Sequence, residues 1–234
     1  MTGFRLRARI VGATLASVAM FSAGCSTPLH VSDEHTTSGP RSPSLDIALL
    51  ACQPVATLGV VAPGGIQGLG PTVSHALTTA LSEASPPIRA VPTAEVLNRL
   101  TDQGLAGEYA ELLASYSRSG IPDRARLQQI GAALGSRYVL QPGLAEFSQA
   151  ILDKFEFAGL KIVRTRASTL RLWLQLWDTQ TGHILSESTG ETTLATPVVS
   201  LDSTVSLDAT AQKLWSRMIK KDLLEGANES WRCP

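Results

Sequence analysis

The stretch TLRLWLQLWDTQTGHILSES, residues 169–188, alternates with a period of two. Leu occupies every even position from 170 to 176, while Arg171, Trp173, Gln175 and Trp177 take the odd ones. A strand sends successive side chains to opposite faces, so this pattern predicts a strand with one leucine face turned to a core. DTQTG (178–182) supplies turn residues. HILSESTGETTL (183–194) reads as the more polar returning strand of an antiparallel hairpin.

A leucine face needs an apolar layer to pack on, and the flanking sequence supplies amphipathic helices. Val73, Ala76, Leu77, Ala80, Leu81 and Ala84 recur at helical spacing and form one apolar stripe, which SPP at 85–87 stops. Before it, TLGVVA (57–62) reads as a buried strand, and the glycine-rich APGGIQGLGP (62–71) as a flexible loop. IRAV (88–91) is a short second strand, and Thr93 is placed to cap a helix bearing Val96, Leu97 and Leu100. Leu105, Tyr109, Leu112, Leu113 and Tyr116 make another helical face, broken at 120–122. Asp123 is a predicted N-cap for a helix burying Leu127, Ile130 and Leu134 and ending at Gly135. RYVLQPGLAEF (137–147) is a strand interrupted by Pro142–Gly143, and 159–166 continues in extended style. Leu207, Ala211, Leu214, Trp215, Met218 and Ile219 predict a closing C-terminal helix. The fold class is therefore α/β (α+β), a single mixed β-sheet with amphipathic helices on at least one face.

The amino terminus gives an address. Arg5, Arg7 and Arg9 precede an uncharged apolar run, Ile10–Phe21, and the small residues Ser22, Ala23 and Gly24 lead into Cys25. This is the layout of an export signal, with an apolar run shorter than a membrane-spanning helix needs. SAGC resembles the lipobox of bacterial lipoproteins, although Ser22 stands where Leu is commoner. The resemblance implies a signal peptide over 1–24 and an acylated, palmitate-bearing Cys25. Ser26 is not the Asp that would suggest retention at the inner membrane in enteric-type bacteria. The expected location is therefore the outer membrane, lipid-anchored and facing the periplasm. Residues 25–46, rich in Ser, Thr and Pro, read as a lipidated flexible tether, and 47–234 as one globular domain.

The whole chain has 20 basic and 20 acidic residues and is 44% hydrophobic. Loss of the three signal arginines leaves the mature chain mildly acidic. With no basic run, no nucleic-acid surface is expected. Cys52 and Cys233 remain in the domain and are disulfide candidates in an oxidising compartment. Neither belongs to a CxxC motif, so redox catalysis is not expected.

RLQQIGAALGSRYVLQPGLAEF (126–147) followed by LRLWLQLWDTQTGHILSES (170–188) resembles an envelope domain shared by several bacterial proteins. They include the amino-terminal domain of TolB, the lipoprotein LpoB and the curli secretion lipoprotein CsgG. The resemblance spans roughly residues 55–195, with Gly135, Tyr138, Asp178 and Gly182 at matching positions. It implies a fold, an envelope compartment and protein–protein contact as the common theme.

Candidate chemistry is sparse. The glycines at 65, 68 and 70 run GxxGxG, the reverse of a dinucleotide fingerprint, and no P-loop Lys follows. His30, His35, His75 and His183 have no ligand-spaced companions, so no metal and no cofactor is expected. Glu108 and Glu111 lie on one solvated helical face, and no GxSxG nucleophile motif occurs. Arg171, Trp173, Gln175 and Trp177 form the candidate partner-contact face, unless the C-terminal helix or the tether covers it. The expected function is that of a non-enzymatic, periplasm-facing lipoprotein that binds and regulates or assembles an envelope protein complex. The alternatives are a homo-oligomeric secretion-assembly subunit of the CsgG kind and, third, a small-ligand-binding envelope protein.

Overall fold

The computed structural model describes residues 31–156, 161–197 and 206–225. Its strands are β1 (Val31–Ser38), β2 (Val55–Thr57), β3 (Ala90–Val91), β4 (Tyr138–Glu156), β5 (Lys161–Asp178) and β6 (Ile184–Pro197). They form one mixed sheet in the order β1-β6-β5-β4-β2-β3. The first four are antiparallel neighbours, while β2 runs parallel to both β4 and β3. The helices are α1 (Ile47–Cys52), α2 (Gly70–Glu83), α3 (Thr93–Asp102), α4 (Ala106–Ser119), α5 (Arg124–Leu134) and α6 (Leu207–Met218). A 3-10 segment, Gly64–Leu69, leads into α2, and a π-helical turn, Ile219–Leu223, extends α6. The α/β class and the single mixed sheet expected from the sequence are observed.

The even leucines of β5 are all buried against α2 and α6, beside Val73, Leu77, Leu81, Leu214, Trp215 and Met218. Full burial of such a side chain is worth roughly 1.5–3 kcal/mol, so this row anchors one face of the sheet. The Trp215 indole N–H donates to the Val73 carbonyl at 3.2 Å, tying α6 to α2. The opposite face is covered too. Val139 and Trp177 pack there against Val96, Leu100, Leu112, Leu127 and Ile130 of α3, α4 and α5. The molecule thus has helices on both faces of the sheet.

Local chemistry sets the element ends. Asp123 accepts the Arg126 amide at 3.1 Å, which fixes the start of α5 as the sequence predicts. Gly135 ends that helix at φ 63°, a left-handed conformation that favours glycine. The next residue, Ser136, hydrogen-bonds Pro54 and Tyr138 carbonyls and the Ala56 amide, stitching β2 to β4. Thr93 behaves differently from the expectation. Pro92 occupies the cap position of α3, and the Thr93 hydroxyl donates instead to the Leu58 carbonyl at 3.1 Å.

Two further expectations change. Residues 31–46, read as flexible tether, contain the edge strand β1 and the Asp46 cap of α1. Backbone pairing with β6 holds β1, from Val31↔Ala195 to Ser38↔Ser188, so a polar sequence can be a strand without apolar alternation. The buried strand expected over 57–62 keeps regular pairing only over Val55–Thr57. The Leu58 amide still donates to the Leu140 carbonyl at 2.9 Å, after which the chain leaves the sheet and meets it again at Val61, paired with Gly143. Pro142 is tolerated inside β4 because regular β2 pairing has ended there and a bulge follows between Leu144 and Glu146.

Candidate functional site

The odd-numbered face of β5 divides. Trp177 is fully buried and Gln175 nearly so. The Gln175 side-chain carbonyl accepts from the Trp177 indole N–H at 2.9 Å and from the Tyr116 hydroxyl at 2.8 Å. Burial, helped by the negative charge of Glu187, pushes the Tyr116 phenol up to about 12, so it stays a donor to Gln175. Trp173 is half-buried, 6.0 Å from the Tyr116 ring, and its indole covers Gly143. Only Arg171 is well exposed, bound to Glu191 at 2.8 Å and Glu146 at 3.4 Å. The four residues expected to form one contact face are therefore divided, with Arg171 and part of Trp173 at the surface and the other two inside. Gln175 and Trp177 belong to the second core, and the cover is α4, not the C-terminal helix or the tether. The long crossover from β3 to β4 lays α3, α4 and α5 on that side.

A groove of about 510 Å³ opens elsewhere, beyond the carboxyl end of β2. Its walls are α2, contributing Ser74, His75 and Thr78, and α3, contributing Thr93 and Leu97, with Gly59 on the floor. The two walls are joined where the Ser74 and Thr93 hydroxyls meet at 2.9 Å. The floor is fixed from behind, since the Gly59 amide donates to the Tyr109 hydroxyl at 2.8 Å and its carbonyl accepts from Gln141 at 2.9 Å. Burial raises the Tyr109 phenol above its ordinary value, with the Gly59 bond partly offsetting this. The groove is mostly apolar, and Leu97 at its rim is 41% exposed. In parallel α/β arrangements this is the position where ligands characteristically bind.

The glycine-rich stretch borders this groove, as a 3-10 turn and not the flexible loop expected. Pro71 removes one amide donor from the first turn of α2, and no Lys or Arg lines the groove. Its chemistry thus suits an apolar side chain or short segment better than an anion. Sequence reading picked out Thr93, His75 and the glycines separately. Their meeting required the β2–α2–β3 topology.

Other candidates fall as follows. Cys52, at the end of α1, is disulfide-bonded. Cys25, Cys233 and His30 lie outside the described residues. His35 sits on β1 with its ring 3.1 Å from the Thr37 hydroxyl, and His183 is exposed beside the β5–β6 turn. Among the described residues no group of three or more His, Cys, Asp or Glu could hold a metal ion, and no helix is long and apolar enough to cross a membrane. Glu108 is not simply solvated, for it accepts from Arg126 at 2.9 Å and joins α4 to α5.

No family model matches the chain, and no curated protein matches it. Among solved structures, the PelC dodecamer from Paraburkholderia phytofirmans is 16% identical, the match covering 81% of this chain and 95% of that one at a TM-score of 0.41. The lipoprotein GNA1162 from Neisseria meningitidis is 17% identical over 72% of this chain and 96% of that one, TM-score 0.42. The C-terminal domain of LpoB from Salmonella enterica is 14% identical over 64% and 86% respectively, TM-score 0.36. At these scores the likeness does not bear on function.

Proposed function

We propose that this protein is a lipid-anchored, periplasm-facing component of the outer membrane that acts by binding a protein partner, without catalysis. Acylation of Cys25 would hold it at the membrane. The observation that carries the binding role is the groove beyond β2, preformed between α2 and α3, mostly apolar, and rimmed by exposed Leu97. Such a site accepts an apolar side chain from a partner while Ser74, Thr93 and His75 offer polar contacts to its backbone. Arg171 and Trp173 lie on the sheet and are not part of it.

The test places a photo-reactive amino acid at Leu97 of the full-length protein in its native membrane. Illumination is expected to give one discrete adduct with another envelope protein. Thr78→Trp, which fills the groove from a side chain bonded only within its own helix, should abolish that adduct while leaving the circular dichroism spectrum unchanged. Absence of any protein adduct overturns the binding role, and an adduct made only with a second copy favours the oligomeric-assembly reading instead.

A further inference from the structure

We infer that the groove beyond β2 is a vacant strand position, filled by an extended segment of the partner that pairs with the main chain of Val60; this rests on the groove being the binding site, proposed above. Regular pairing on the outer side of β2 is short, Val55 with Ala90 and Ala56 with Val91. Pro92 then caps α3 and carries the chain out of the sheet, so no described strand continues β3 alongside residues 58–60.

The backbone groups on either side of Val60 are engaged. The Leu58 amide donates to the Leu140 carbonyl, and the Leu58 carbonyl accepts from the Thr93 hydroxyl. The Gly59 amide and carbonyl are held by Tyr109 and Gln141. Val61 uses both of its groups on β4. Its amide donates to the Pro142 carbonyl at 3.1 Å, and its carbonyl accepts from the Leu144 amide at 2.8 Å. That is parallel-strand pairing, and along extended chain successive residues turn their N–H and C=O groups to opposite edges. The Val60 pair is therefore directed away from β4, to the side that β3 has left. Neither group has a hydrogen-bond partner among the described residues, and Val60 lines the groove. Its side chain is turned toward α2, where a Cβ on Gly70 would lie 3.7 Å away, so it does not cover this edge.

An unpaired strand edge is what an added strand recognises, through main-chain bonds, while pockets beside it select side chains. The pocket here is neutral. No Asp, Glu, Lys or Arg lines it, so a charged side chain entering between α2 and α3 would lose its hydration without gaining a counter-charge. The residue that enters is uncharged and apolar, and it meets Pro71, Ala94 and Leu97. The wall hydroxyls are already partly engaged, Ser74 with Thr93 and Thr78 with the Ser74 carbonyl. Val60 thus supplies a fixed donor and acceptor on the floor. The partner this fits is a protein with an exposed extended segment whose central residue is apolar.

The test uses the full-length protein with the photo-reactive residue at position 97, in its native membrane, before and after illumination. Residue-resolved hydrogen exchange is read at three amides. Val60 is expected to exchange about tenfold more slowly in the adduct, the protection that one net hydrogen bond confers. Val61, already bonded to Pro142, should stay as it was. Ala94 lies in the unpaired first turn of α3 and also lines the groove, so it reports covering without pairing. An adduct in which Val60 exchanges as in the free protein, or in which Val60 and Ala94 slow equally, overturns strand pairing and leaves the groove as the binding site. Absence of any adduct overturns the binding role and this inference with it. Val60→Pro, which lacks the amide, should lower the adduct yield severalfold; a folded Val60→Pro protein that forms the adduct at full yield overturns the pairing alone.

Discussion

A Cβ built on Gly143 would lie 1.8 Å from the Cε2 atom of the Trp173 indole. The indole is broad and rigid and cannot absorb that displacement, so Gly143 is required by close approach, and not by its backbone angles. Trp173 in turn leans on Tyr116, which holds Gln175, which holds Trp177. Gly143→Ala should therefore destabilise the fold by about 1–3 kcal/mol, the usual cost of overpacking. Trp173→Ala should cost stability for a different reason, the loss of indole packing. The double variant should be clearly more stable than the sum of the two losses, because removing the ring removes the clash. Urea unfolding of all four proteins measures this, and simple additivity would show that the ring is not what excludes a side chain at 143. At this scale the sequence was informative but incomplete. Alternation showed that Trp173 and Trp177 share a face, whereas the helix that covers them is separated from β5 by more than forty residues.

Elements differ in how much of their stability is written locally. The β5 strand and α2 carry strong apolar periodicities, and both form where that periodicity places them. β1 carries none, and its sequence VSDEHTTS gives no sign of burial. Its hold comes from partners distant in the chain, a relation that local pattern reading cannot register. Its backbone pairs with β6, and the Glu34 carboxylate, with 8% of its side chain exposed, sits between Lys213 and Arg217 of α6. Further along, Lys221 donates to the Thr36 carbonyl at 3.0 Å, Ser38 to Asp222, and Arg41 to the Glu225 carbonyl at 2.7 Å. Glu34→Ala should loosen β1 selectively. Because both cations are substantially exposed, solvent screens the pair and the loss is about 1–2 kcal/mol, below that of a fully buried pair. Hydrogen exchange should show faster exchange at residues 33–38, with α2 and the centre of β5 unchanged. Uniform acceleration across the sheet would mean that Glu34 supports the whole fold and not its edge.

At the scale of the molecule, the three cysteines connect the address to the architecture. Cys52 ends α1, a helix whose Leu50 is fully buried in the main core, and it is disulfide-bonded. The chain has two other cysteines, Cys25 and Cys233. A sulfur carrying a thioether-linked lipid cannot also form a disulfide, so the anchor and the pairing are one question. If Cys25 is acylated, Cys52 must pair with Cys233, which would fasten the carboxyl tail to the start of the core. Closing a loop well over a hundred residues long would stabilise the fold by about 5 kcal/mol on the chain-entropy estimate, strain aside. Peptide mapping without reductant should therefore recover a Cys52–Cys233 peptide and, separately, an amino-terminal peptide bearing acyl mass on Cys25. Reduction should lower the urea midpoint of the membrane-extracted protein by an amount consistent with several kcal/mol. A Cys25–Cys52 peptide would remove the lipid anchor and the proposed location together. It would leave intact the groove between α2 and α3, because Gly59, Ser74, Thr93 and Tyr109 fix that feature without any cysteine.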